Sequence, residues 1–270
     1  MAKKKKVAPI KTIYYSDELN DDFASTKDLN EKEIDERYNY FRLNNPFIHL
    51  WANFLYYIIA KPLVWLVLKL YFRYKVVNRK LIKRRGKRGC FIYGNHTNYL
   101  PDAAFNSLLH SRRNFVVVGS QTVNIRGIGK LVQDLGALPL GSTVQAKKNF
   151  LDCLHQKLQR NASITIYPEA HIWPYYNGVR PFVKASFKYP YDLEYPVYSL
   201  ATCYQKRKNA LRPRIIFVLN GPFYADKTLD RAEGLQKLRD QVYDSLVYAT
   251  QKYSTYEYYH YEKVEKKLED

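Results

Sequence analysis

A mixed, mostly parallel α/β sheet flanked by helices, with an apolar, membrane-associated helical hairpin in front of it, is the fold the sequence predicts. Three observations predict it. From Cys90 onward, short apolar runs alternate with segments of helical periodicity, which is the pattern of βα repeats. Two of those runs lead into polar, titratable tracts, Phe91–Asp102 (FIYGNHTNYLPD) and Tyr167–His171 (YPEAH), as strand ends that carry a ligand site do. Ahead of them, Pro46–Phe72 is the most apolar stretch of the chain and is interrupted at Lys61-Pro62.

Residues 1–45 are polar and charged, with a tetralysine (Lys3–Lys6) and an acidic stretch (Asp17–Asp22). They read as a flexible arm with a short helix over Asn30–Arg42. Residues 46–88 form the second unit. A spanning helix needs about 20 predominantly apolar residues, and Lys61-Pro62 divides this stretch into Leu50–Ala60 and Leu63–Phe72. Proline breaks or kinks a helix interior, and a lysine at the bilayer centre costs at least about 2.5 kcal/mol. Two short helices lying in one leaflet are therefore expected, with Trp51, Tyr56, Tyr57 and Trp65 at the headgroup level. A basic collar, Arg73–Arg88, closes the unit.

Residues 89–270 make the α/β domain. Strands are expected at 90–93, 115–119, 137–140, 163–167, 195–202 and 214–220. Helices are expected over Asp102–His110, about 126–134, Val144–Gln159 and about 229–252. In the last of these Leu235, Leu238, Val242, Leu246 and Ala249 recur at helical spacing and should dock on the sheet. The tyrosine-rich tail that follows has no account at this level beyond contact with a lipid interface.

Composition narrows the partners. The net charge is +19, and from Arg37 to Pro101 there are 13 Lys and Arg but no Asp or Glu. Nucleic acid and an anionic membrane surface both fit such a field. The apolar stretch inside the same span favours the membrane surface, and no nucleic-acid partner is expected. The three cysteines match no metal or disulfide spacing and read as reduced core residues. No apolar run follows MAKKKK, so no cleavable signal peptide is expected. Together these place the protein on the cytoplasmic face of the cell membrane, monotopic or peripheral.

His96 follows a strand and a Gly94-Asn95 turn, and Asp102 stands at the start of the next helix. If the loop folds back, Asp102 fixes the His96 tautomer and leaves Nε2 free as a general base. Glu169 and His171 stand at a second strand end, with Arg180 and Lys184 downstream as cations able to hold a phosphate. Zinc-type spacing, a nucleophile elbow and a phosphate-cradling glycine loop are all missing, so no metal is expected. His49, His110, His155 and His260 lie in apolar or helical contexts and read as structural.

In order and spacing these blocks resemble the glycerolipid acyltransferase family, the 1-acylglycerol-3-phosphate (lysophosphatidic acid) acyltransferases in particular, over about residues 90–220. Asn95-His96 with Asp102 resembles the family's Asn-His-four residues-Asp motif. Gly136–Leu140 resembles its second block, Tyr167-Pro168-Glu169 its Phe-Pro-Glu-Gly-Thr-Arg block with Phe182–Ala185 as the follow-on, and Tyr195-Pro196-Val197 its fourth. The resemblance implies the family's fold, His96 as base oriented by Asp102, and substrate contacts by Asn95, Glu169, His171, Arg180 and Lys184. It implies acyl transfer from acyl-CoA or acyl-carrier protein to a lysophospholipid acceptor, giving phosphatidic acid, with no cofactor. The departures are specific. Five residues separate His96 from Asp102, Ser142 stands where the family has its phosphate-binding Arg, and Ala170-His171 replaces Gly-Thr.

Overall fold

The short runs from Cys90 onward that the sequence offers as strands pair into one sheet. The structure, a computed structural model, describes residues 10–23, 32–208 and 210–265. Its strands are β1 (Lys11–Tyr15), β2 (Lys75–Val77), β3 (Cys90–Gly94), β4 (Asn114–Val118), β5 (Ala137–Pro139), β6 (Ser163–Ile166), β7 (Val197–Arg207), β8 (Ala210–Phe223) and β9 (Tyr259–Lys263). Among the described residues, seven of them form one sheet in the order β2-β8-β7-β3-β6-β4-β5. All its pairings are parallel except β7 with β8. Every residue of β3 and β6 is buried, as central strands covered on both faces require. Side chains alternate across the sheet: Phe91 and Tyr93 enter one core, Cys90 and Ile92 the other.

Helix α1 (Pro46–Leu70) runs without a break through Lys61-Pro62. Asn45 caps it by accepting from the Phe47 and Ile48 N–H groups, and Pro46 takes the first turn, where its missing N–H is harmless. The expected pair of helices is thus replaced by a single one. Residues Leu55–Ala60 widen into a π-helical turn just before Pro62, and such a bulge absorbs an irregular hydrogen-bond ladder. Lys61 turns inward, and its Nζ donates to the His110 carbonyl over 2.9 Å.

By length and composition α1 could cross a membrane. It is nevertheless held lengthwise against the domain, with Ala52, Tyr56 and Leu68 buried and the Tyr56 hydroxyl accepting from the Asn114 N–H at 2.9 Å. The opposite side is apolar and open: Phe47, Leu50, Trp51, Phe54, Ile58, Leu63, Trp65, Leu66 and Leu70 are all exposed.

The second core-building helices are α2 (Tyr99–Ala104), α3 (Val144–Gln159) and α4 (Arg231–Tyr253). Leu235, Leu238, Val242, Leu246 and Ala249 of α4 are buried against the sheet, as their periodicity predicts. The basic collar is partly sheet, since Lys75–Val77 pairs with Ile216–Val218 of β8.

The described parts of residues 1–45 are packed where the sequence suggests a flexible arm. Ile34, Tyr40 and Leu43 join the core, and β1 pairs in parallel with β9, which brings residues 11–15 beside residues 259–263. Residues 32–41 hold turns in place of the expected helix, and a single 3-10 turn follows at Arg42–Asn44. The tetralysine and residues 30 and 31 lie outside the described residues. The tyrosine-rich tail folds inward: Tyr261 stacks on the buried Trp173 at 5.0 Å, and Tyr258 and Tyr259 pack on Tyr175.

Candidate active site

The extra residue between His96 and Asp102 is absorbed by a loop that wraps around the carboxylate. Asp102 lies in α2 and reaches back, so that its Oδ2 accepts from the Thr97 and Asn98 N–H groups, each at 2.8 Å, and meets His96 Nδ1 at 3.0 Å. Its side chain is fully buried, while the His96 ring keeps some exposure. With Asp102 as acceptor, the proton sits on Nδ1, and Nε2 takes no hydrogen bond from the described residues. Asp102 Oδ1 is buried without a partner among them. The site lies just beyond the C-terminal end of β3, the edge at which open α/β sheets bind ligands.

Tyr167, whose part the sequence does not foretell, holds the imidazole from one side. The two rings stack at 4.5 Å, and the Tyr167 hydroxyl donates to the Asp102 carbonyl at 2.7 Å. Gly94 is required here: a Cβ at that position would meet Tyr167 Cε1 at 2.8 Å and the Leu200 carbonyl at 3.0 Å. Tyr204, also unforeseen, fixes the loop from below through Thr97 Oγ1 and the Thr97 carbonyl.

Glu169 is the hinge of the second strand end. Its Oε2 accepts from the His96 N–H at 3.2 Å and its Oε1 from the Arg180 N–H at 3.1 Å, so one carboxylate ties both loops together. The Arg180 guanidinium lies 3.3 Å from the same carboxylate, over the Trp173 ring, and donates to the carbonyls of Glu169, His171 and Glu18. Burial pushes the Glu169 carboxyl up to about 6, with Arg180 opposing the shift. Because this value lies above the ordinary 4.5, the stability it contributes is complete below 4.5 and is lost as pH rises through 6. Ala170 sits at φ 64, in the left-handed region that glycine adopts at least cost.

The side chains assigned to substrate contact therefore divide. Asn95 is fully buried with its amide committed to the backbone of Thr202 and Gly178, so it positions the loop. Arg180 and Glu169 are internal as well, and burial is what turns an expected phosphate cation into a clamp. Lys184 donates to the Ala232 carbonyl in the first turn of α4. His171 keeps an exposed ring edge and faces Asp22 at 3.5 Å, in the loop whose Trp173 N–H binds the His96 carbonyl. Ser142, at the family's Arg position, is bonded to Ile34 through its N–H and its Oγ. Among the described residues no group of three or more His, Cys, Asp or Glu is placed to hold a metal ion.

The family model "Acyltransferase" matches residues 73–202, from the collar through most of β7. The 1-acyl-sn-glycerophosphate (LPA) acyltransferase PlsC of Thermotoga maritima is similar in structure, with a TM-score of 0.50 and 15% identity over 80% of this chain and 92% of that one. At that identity the likeness shows a shared fold. No curated protein matches the chain.

Proposed function

We propose that this member of the glycerolipid acyltransferase family moves an acyl chain from an acyl thioester to the free hydroxyl of 1-acylglycerol-3-phosphate, giving phosphatidic acid. The observation that carries the reading is the His96–Asp102 contact with Nε2 left open. Nε2 takes the proton of the acceptor hydroxyl as its oxygen attacks the thioester carbonyl. The C–S bond then breaks, and the imidazolium returns the proton to the departing thiolate. Asp102 supports the imidazolium charge in between. An activated thioester needs positioning and base catalysis and no covalent acyl-enzyme. The donor is acyl-CoA or acyl-carrier protein, and no cofactor takes part.

The exposed apolar side of α1 docks the domain on an anionic membrane surface from the cytoplasmic side, in the manner of an in-plane helix. Leu50→Glu with Phe54→Glu should lower partitioning onto phosphatidylcholine vesicles by about tenfold or more, from the apolar area lost. Co-sedimentation measures this, and unchanged partitioning would remove α1 from the membrane contact.

A second reading is a different lyso-lipid acceptor, favoured by Ser142 being bonded to Ile34 where the family has its phosphate-binding Arg. Turnover across a panel of lyso-acceptors separates the two readings: kcat/KM should be highest for lysophosphatidic acid under the first.

A further inference from the structure

On the edge of the sheet opposite His96, a cavity of about 360 Å³ opens between the N-terminal ends of β4 and β6, the last turn of α3 and the flank of α1. It carries Arg112, Arg113, Lys157, Arg160 and His49, and no carboxylate lines it. Arg113 is committed within the protein: it donates to Asn53 Oδ1 and to the Asp134 carbonyl and lies over the Tyr56 ring.

Lys157 is not. It is 3% exposed, and its ammonium has neither a carboxylate nor a hydrogen-bond acceptor among the described residues, only the Phe115 ring at 5.5 Å. Burial lowers its pKa, Cys153 opposes this, and Arg160 and Arg113 add to it. An ammonium that lines a cavity with cations beside it and no carboxylate is stabilised by an anion seated there. The end of α3 does not call for these cations, because the N–H groups of Arg160, Asn161 and Ala162 already cap its last carbonyls.

We propose that this cavity binds the phosphate group of an anionic phospholipid, as a site separate from the one that carries His96. The choice of a lipid rests on the membrane reading of α1. His49 and Asn53, one turn apart on α1, line the cavity, while Leu50, Trp51 and Phe54 on the adjoining surface of the same turns are exposed. A phosphate seated among Lys157, Arg160 and Arg112 therefore leaves its acyl chains beside an apolar surface. The headgroup is held by point charges and the tails by α1.

The test is binding of the full chain to phosphatidylcholine vesicles with and without phosphatidylglycerol, which involves no acyl transfer. Lys157→Met, and independently the exposed Arg160→Gln, should each weaken binding to the phosphatidylglycerol vesicles by about fivefold, the effect of one interfacial cation. Binding to pure phosphatidylcholine should stay as in the wild type. Lys147→Gln, which removes an exposed charge from another face of α3, should lose much less. Wild-type binding to phosphatidylcholine with no preference for phosphatidylglycerol would overturn the site while leaving α1 as a docking helix. So would equal losses on both vesicle types, or a loss as large in Lys147→Gln. A Lys157-dependent melting shift with inorganic phosphate, without any vesicle preference, would make this a site for free phosphate and overturn the lipid assignment.

Discussion

His96→Ala is expected to leave a folded protein whose kcat/KM for acyl transfer falls by about 10²–10⁴-fold, the contribution of a placed general base. The His96 ring is an end point of the network: it meets Tyr167 and Asp102, and removing it leaves Glu169 still bonded to the residue 96 N–H. Circular dichroism and vesicle binding should therefore match the wild type. Asp102→Asn is expected to lose activity to a comparable degree. The amide oxygen can take the place of Oδ2 on the Thr97 and Asn98 N–H groups, but a neutral acceptor does not stabilise the imidazolium. Its NH2 group would fall where Oδ1 is buried without a partner, which adds a stability cost of about 1–3 kcal/mol. A retained rate in either variant contradicts the assignment.

Arg180→Met is expected to destabilise the fold by about 3–5 kcal/mol, because it leaves the buried Glu169 carboxylate without its counter-charge. Three backbone carbonyls, of Glu18, Glu169 and His171, lose their donor in the same step. The pH dependence has a definite sign. Arg180 is the largest influence holding the Glu169 pKa down, so without it Glu169 takes up a proton at higher pH than in the wild type. The stability deficit should be greatest above neutrality and should shrink as pH falls toward 6 and below. Urea unfolding at several pH values measures it. If Arg180 held the acceptor's phosphate, the same substitution would raise KM and leave the melting temperature alone.

The contact between His96 and Asp102 was legible because it is local. A strand, a turn, His96 and Asp102 lie within thirteen residues, and the chain needs only one loop to bring the side chains together. The βα pattern was legible for the same reason, and Val144–Gln159 begins and ends where its periodicity says. Burial is what local sequence does not carry. Asn95, Glu169 and Arg180 have the residue types of a binding site, and only the fold shows that they are buried and bonded within the protein. Residues 11–15 and 259–263 could not be read as strands, since each finds its partner at the other end of the chain. The break expected at Lys61-Pro62 was outweighed by tertiary contact: Lys61 gains the His110 carbonyl, and a π-helical turn takes up the irregularity.

The most direct test of the central claim is phosphatidic acid formation by the purified protein, given lysophosphatidic acid with acyl-CoA and, separately, with acyl-carrier protein. Thioester loss should match phosphatidic acid formed with at least one donor, and both should disappear together in His96→Ala. An intact thioester with both donors, or product formation that survives His96→Ala, would contradict it.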